Sequence, residues 1–121
     1  MRVSYVEFLG QKHPICFSLA ATEQLVEAFG SLEQFADALD KSDLAKTAQA
    51  VDTTFQILLK AGRIYASAMG EELPPELPCR PADLIDVRDR SAIAAIFAAM
   101  RADTNRTVEV EQKNGEATPD P

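Results

Sequence analysis

The chain has no tryptophan, a single histidine and two cysteines, and its 12 basic residues are outnumbered by 19 acidic ones. Each shortage removes a class of function. Cys16 and Cys79 form no C-x-x-C, and His13 has no second ligand near it in sequence, so neither a metal nor any other cofactor is expected. Two cysteines so spaced fit a reducing compartment. No Gly-rich phosphate loop occurs. A net charge of −7 and an isoelectric point near 4.6 argue against nucleic acid and anionic membranes as partners, because phosphates need clustered Lys and Arg. Arg88, Arg90, Arg101 and Arg106 are scattered and interleaved with Asp. No apolar run approaches the length of a membrane span. Met1-Arg2-Val3-Ser4-Tyr5 lacks the apolar core of a signal peptide, so the expected location is the cytoplasm.

What remains is a chain of 121 residues, 46% hydrophobic, with the apolar share carried by Ala and Leu. That composition favours helices, and this length buries roughly two-thirds of the unfolded surface without staples. The expected fold is a small, mainly α domain with an N-terminal β-hairpin over residues 1–103, followed by a disordered tail, 104–121. The tail has almost no apolar surface to offset the entropy of ordering it.

The organising stretch is Leu44 to Met69. Leu44, Ala48, Val51, Phe55, Leu58, Gly62, Tyr65 and Met69 fall on one side of a 3.6-residue spiral. Thr54, Ile57, Ala61, Ile64 and Ala68 form a second stripe beside the first, a face wide enough to expect neighbours on both sides. Ser42 is placed as N-cap, Asp43 at the positive end of the dipole, and Gly70 as the left-handed stop. Gly62 costs roughly 1 kcal/mol mid-helix against Ala; on the apolar stripe it predicts close packing by another backbone, a helix being the expected partner.

Before this helix, residues 2–9 and Ile15-Cys16-Phe17 read as two strands around a Gly10-Gln11-Lys12 turn. Pro14 lacks a ladder donor, so its strand is an edge or begins after it. Ser18 caps a helix to Phe29 with Leu25, Val26 and Phe29 inward, and Gly30 ends it. Ser31 and Gln34 spell a capping box for a helix to about Asp40, with Leu32, Phe35, Ala36 and Leu39 on one face. After Gly70, Pro74, Pro75 and Pro78 forbid helix. Pro81 starts a short helix over 82–87, and Asp89 caps a last one, 90–102, with Ile93, Ile96, Phe97 and Met100 on its core face.

A catalytic constellation is not evident. His13 reads as a surface turn residue, Cys16 as a small buried hydrophobe, and Cys79 as an ordinary loop thiol despite Arg80 beside it. Asp83, Asp86 and Asp89 recur at helical spacing but lack the glycine turn and terminal Glu of a calcium loop, so a solvated face is the reading.

Three stretches have a familiar arrangement. Phe17-Ser18-Leu19-Ala20-Ala21 follows the hairpin, Phe29-Gly30-Ser31-Leu32-Glu33 ends the next helix, and Leu58-Leu59-Lys60-Ala61-Gly62 precedes a Pro-rich loop. Across residues 3–102 the chain resembles the tail assembly chaperones of long, non-contractile-tailed phages and prophages. The resemblance extends loosely to Arg106-Thr107-Val108-Glu109-Val110-Glu111. It implies a non-enzymatic protein of the host cell cytoplasm, absent from the mature virion. Such a protein coats the tape measure protein and promotes tail tube assembly, and a longer frameshifted form engages the tail tube protein; this chain is expected to be the short form. Ile93, Ile96, Phe97 and Met100 are the candidate partner-binding residues, since Met and aromatic positions suit adaptable recognition. A face left partly open also predicts a homo-oligomer. The rival readings are a small cytoplasmic interaction or adaptor domain without a phage role, and a small enzyme, which needs a pocket around Cys16 or Cys79.

Overall fold

The computed structural model describes residues 3–41, 43–86 and 89–101. The expected tail and the domain boundary at 103 lie outside them. The fold is mainly α, with an antiparallel hairpin at its N-terminus.

β1 (Val3–Phe8) pairs with β2 (Gln11–Cys16), with Phe8 opposite Gln11 and Val3 opposite Cys16. Leu9 and Gly10 both have positive φ, 55° and 77°, giving the two-residue turn whose twist suits a hairpin. The turn therefore precedes its expected position, and Gln11 and Lys12 belong to β2. Phe8 and Gln11 flank the turn as a hydrogen-bonded pair. Alternation along the ladder then makes Tyr5 and Pro14 a non-hydrogen-bonded pair. The missing Pro14 N–H would have pointed away from β1, so proline breaks no ladder bond inside the strand.

α1 (Leu19–Phe29) begins at Ser18, whose side chain accepts from the Ala21 amide at 3.1 Å. It ends at Gly30, φ 101°, whose N–H donates to the Val26 carbonyl at 2.7 Å. Its inner face steps by four through Ala21, Leu25 and Phe29; Val26 falls beside that line and is exposed. α2 (Leu32–Asp40) has the Ser31 hydroxyl accepting from the Gln34 amide at 3.0 Å. Phe35 and Leu39 are buried, while Leu32, in the first turn, is exposed rather than inward.

α3 (Leu44–Ala68) is capped by Asp43, not Ser42: Asp43 Oδ1 accepts from the Lys46 amide at 2.9 Å. A carboxylate there satisfies the cap and favours the dipole together. At the other end Gly70 has φ 80°. Its N–H donates to Ser67 O and the Glu71 N–H to Ala66 O, both at 3.0 Å, the paired bonds of a Schellman stop. Val51, Phe55, Leu58, Gly62 and Ala66 are buried. Phe55 meets Phe8 edge to face at 5.4 Å. The first stripe thus runs on to Ala66, four residues past Gly62, and leaves Met69 exposed.

Gly62 admits a backbone, but that of a strand. A Cβ on Gly62 would sit inside van der Waals contact with the Pro14 carbonyl and 2.8 Å from Ile15 Cα. The partner is the β2 main chain and not the expected helix, since the gap over Gly62 is filled by the Pro14 carbonyl and Ile15 Cα. α3 therefore closes the outer edge of β2.

The Pro-rich segment is tied to α3 by side chains. The Arg63 guanidinium donates to Pro74 O at 2.7 Å. Asp52, 4% exposed, accepts from the Ala82 amide at 2.9 Å, Arg80 Nε at 3.2 Å and Gln56 Nε2 at 2.7 Å. A buried carboxylate is tolerated only when its oxygens are so satisfied. Pro81–Leu84 is a 3-10 turn, shorter than the expected helix because Ile85 is already extended. The last helix, α4 (residues 91–101), follows Asp89, whose carboxylate accepts from the Ser91 amide at 2.9 Å. The hydrogen bond from the Ser91 hydroxyl, and after it this amide bond, hold the Asp89 carboxyl below its ordinary pKa.

Candidate partner-binding surface

The second stripe of α3 starts in the core and runs out of it. Thr54 is fully buried. Ile57 and Ala61 are half-buried, Ile64 is 62% exposed, and Ala68 is exposed. From Ile57 to Ala68 the strip is about 16 Å long at 1.5 Å per residue, the length of three turns of a partner helix.

α1 forms the other wall. A groove of ≈ 240 Å³ runs between Ser18, Ala20 and Ala21 on α1 and Ala61, Ile64 and Ala68 on α3. The amine of Lys60 and the amide of Gln24 are polar groups within this lining. Two of the stretches that carry the sequence resemblance meet in this groove, as Ser18, Ala20 and Ala21 from one and Lys60 and Ala61 from the other. They are about forty residues apart in sequence, and only the α1 to α3 packing joins them.

The four residues singled out on α4 are placed differently. Ile96 is fully buried, and Ile93, Phe97 and Met100 pack half-buried against the core. A helix that must close the core over α3 spends its bulky face doing so, and Ile96 has no surface left to offer. Ile93 alone also lines a second groove, of ≈ 270 Å³, with Leu44, Ala48 and Val51 at the start of α3.

The residues weighed for chemistry are also placed. Cys16 is 1% exposed in β2, a small apolar side chain in the core. His13 is not a surface turn residue: it lies in β2, 2% exposed, with its ring edge-on to Phe8 at 6.1 Å. Burial and the nearby Arg63 charge lower its pKa, against a hydrogen bond to the Phe8 backbone that raises it, so the ring is neutral near pH 7. Cys79 is exposed. His13, Arg63 and Cys79 share a cleft of ≈ 450 Å³ beneath the Pro-rich segment, a grouping that sequence spacing could not show. Among the described residues no group of His, Cys, Asp or Glu is placed to hold a metal ion, and no helix is long and apolar enough to cross a membrane.

Asp52 is the structural residue that sequence reading passed over. Its signal was a carboxylate set among Val51, Thr54 and Phe55 on an apolar face, with Gln56 one turn on. No protein-family model, curated protein or solved structure matches the chain.

Proposed function

We propose that the protein is a non-enzymatic assembly chaperone that holds an amphipathic helical segment of a long partner in the α1/α3 groove. The observation that carries this reading is the apolar strip Ile57, Ala61, Ile64 and Ala68 on α3, left open beside Ala20 and Ala21 of α1. An amphipathic helix lays its apolar face into such a groove through anchors spaced three and four apart. A groove lined largely by small side chains offers few large anchors, which suits a partner that must later be displaced. The acidic surface keeps the chaperone soluble meanwhile. The resemblance supplies the partner: the tape measure protein of a long-tailed phage, coated in the host cytoplasm until tail tube subunits replace the chaperone. A longer frameshifted form would recruit the tube protein.

Co-expression tests this. The chain should raise the soluble yield of the tape measure protein encoded beside it and co-purify with it. Ile64→Asp should abolish both while the chaperone stays folded. No rescue and no co-purification by the wild-type chain would overturn the proposal and favour an adaptor domain without a phage role. A second reading, thiol chemistry at Cys79, is favoured by the cleft it shares with His13; alkylation of Cys79 at the rate of a free thiol would remove it.

A further inference from the structure

α3 carries few charges, and past Asp52 both are positive: Lys60 and Arg63. Lys60 is exposed and borders two hollows at once. It lines the α1/α3 groove with Ile57, Ala61 and Ile64, and with Ile64 again it lines the cleft beneath the Pro-rich segment, next to Arg63. In the groove it is the one charged residue of the described lining. In the cleft the one carboxylate of that lining is Glu76, 3.8 Å from Arg63. The wall that the two hollows share is therefore cationic, in a chain whose net charge is −7.

Position makes that charge consequential. Ile57, Lys60 and Ile64 are spaced by three and four, so they stand one above another on one face of α3. A helix that covers both isoleucines must pass against Lys60. Drawing an ammonium under a partner without a counter-charge costs free energy, and a cation on the partner adds repulsion. We infer that the segment held in the α1/α3 groove is an acidic amphipathic helix, with a Glu or Asp beside its apolar face that pairs with Lys60. This rests on the groove reading above and specifies the chemistry of its partner. The strip from Ile57 to Ala68 accepts any apolar face; Lys60 selects what flanks that face.

Arg63 extends the cationic wall on the cleft side. Its Nη1 donates to Pro74 O at 2.7 Å, while its Nε faces Glu76 more loosely, and the Glu76 side chain is 81% exposed. A second carboxylate on the partner therefore competes with a mobile surface side chain and leaves the Pro74 bond intact. Two effects oppose the inference. The chain's overall negative charge repels an acidic segment at long range, so selection for one must come from the local pair. Lys60 also has a long stem, and an ammonium that snorkels back into water makes no demand on the partner.

Two synthetic peptides, titrated against the full chain, test this. Each has about 18 residues, enough for partial helicity, and the same leucine stripe at spacings of three and four. One carries Glu beside the stripe and the other Lys. At physiological salt, where the field of distant charges is screened beyond about 8 Å, the Glu peptide should bind about two- to fivefold more tightly, as an exposed ion pair allows. Lys60→Met keeps an unbranched side chain of similar helix propensity and should abolish that preference; Lys60→Arg should retain it. A carbodiimide should join Lys60 to the carboxylate of the bound Glu peptide. Equal binding of the two peptides, tighter binding of the Lys peptide, or a preference that survives Lys60→Met would overturn the inference and leave the groove reading standing. A carbodiimide product that joins Lys60 to a carboxylate of its own chain would overturn it as well. Binding of neither peptide would remove the groove as a helix site, and the inference with it.

Discussion

The two apolar stripes of α3 have similar composition and different surroundings. The first, Val51, Phe55, Leu58 and Gly62, is covered by β2, α2 and the rest of the core. The second, Ile57, Ala61, Ile64 and Ala68, is bordered by α1 on one side and open on the other. Periodicity says which faces of a helix are apolar. It does not say which face the chain's other elements reach, and the unreached face is the one proposed above for a partner.

The covered stripe should break first. Phe55→Ala should cost about 3–5 kcal/mol, the usual cost of truncating a buried aromatic, read as a shift in the urea midpoint. Gly62→Ala comes next and sharpens the comparison, because helix propensity alone predicts a gain. With the Pro14 carbonyl where the Cβ must go, the substitution should instead destabilise by about 1–3 kcal/mol. A more stable Gly62→Ala variant would mean that β2 does not seal this part of α3.

His13 lies under the same covered side. Its pKa is lowered in the folded chain, so the unfolded state binds its proton first. Its contribution is therefore constant above the unfolded value of about 6.5 and turns destabilising as pH falls below it, with a slope of at most about 1.4 kcal/mol per pH unit. The difference between wild type and His13→Gln, followed by denaturation from pH 7.5 down to about 5, should show that loss. A flat difference would mean that the ring is solvated.

Thr54 stands where the open stripe enters the core, and its buried hydroxyl has no hydrogen-bond partner among the described residues. Thr54→Val should stabilise by about 1 kcal/mol, the cost of leaving such a group unmade. Ile64→Asp, on the open part of the same stripe, should change stability by no more than about 0.5 kcal/mol. A large loss there would show that the strip is covered after all.

Local chemistry made much of the fold legible. Ser18, Ser31 and Gly70 act where a hydroxyl cap or a left-handed glycine is read directly from sequence. Phe55 and Leu58 are buried as their spacing requires. What failed was tertiary. Val26 and Leu32 look inward by composition, but one step of 100° about a helix decides burial. Gly62 announced a close approach without naming the element. By contrast, Ile93, Ile96, Phe97 and Met100 lie on the core face that their spacing marks, Ile96 fully buried and the other three half-buried. The α3 wall of the α1/α3 groove was legible as a second apolar stripe; that α1 forms the other wall was not, because spacing along one helix does not say which element packs beside it.

Amide exchange on the chain with and without the tape measure protein proposed as its partner tests the central claim most directly. The account predicts slowed exchange over residues 57–68 of α3 and the start of α1, with α4 unchanged. Slowing confined to residues 91–101, with α3 unaffected, would place the binding face on α4 and contradict it.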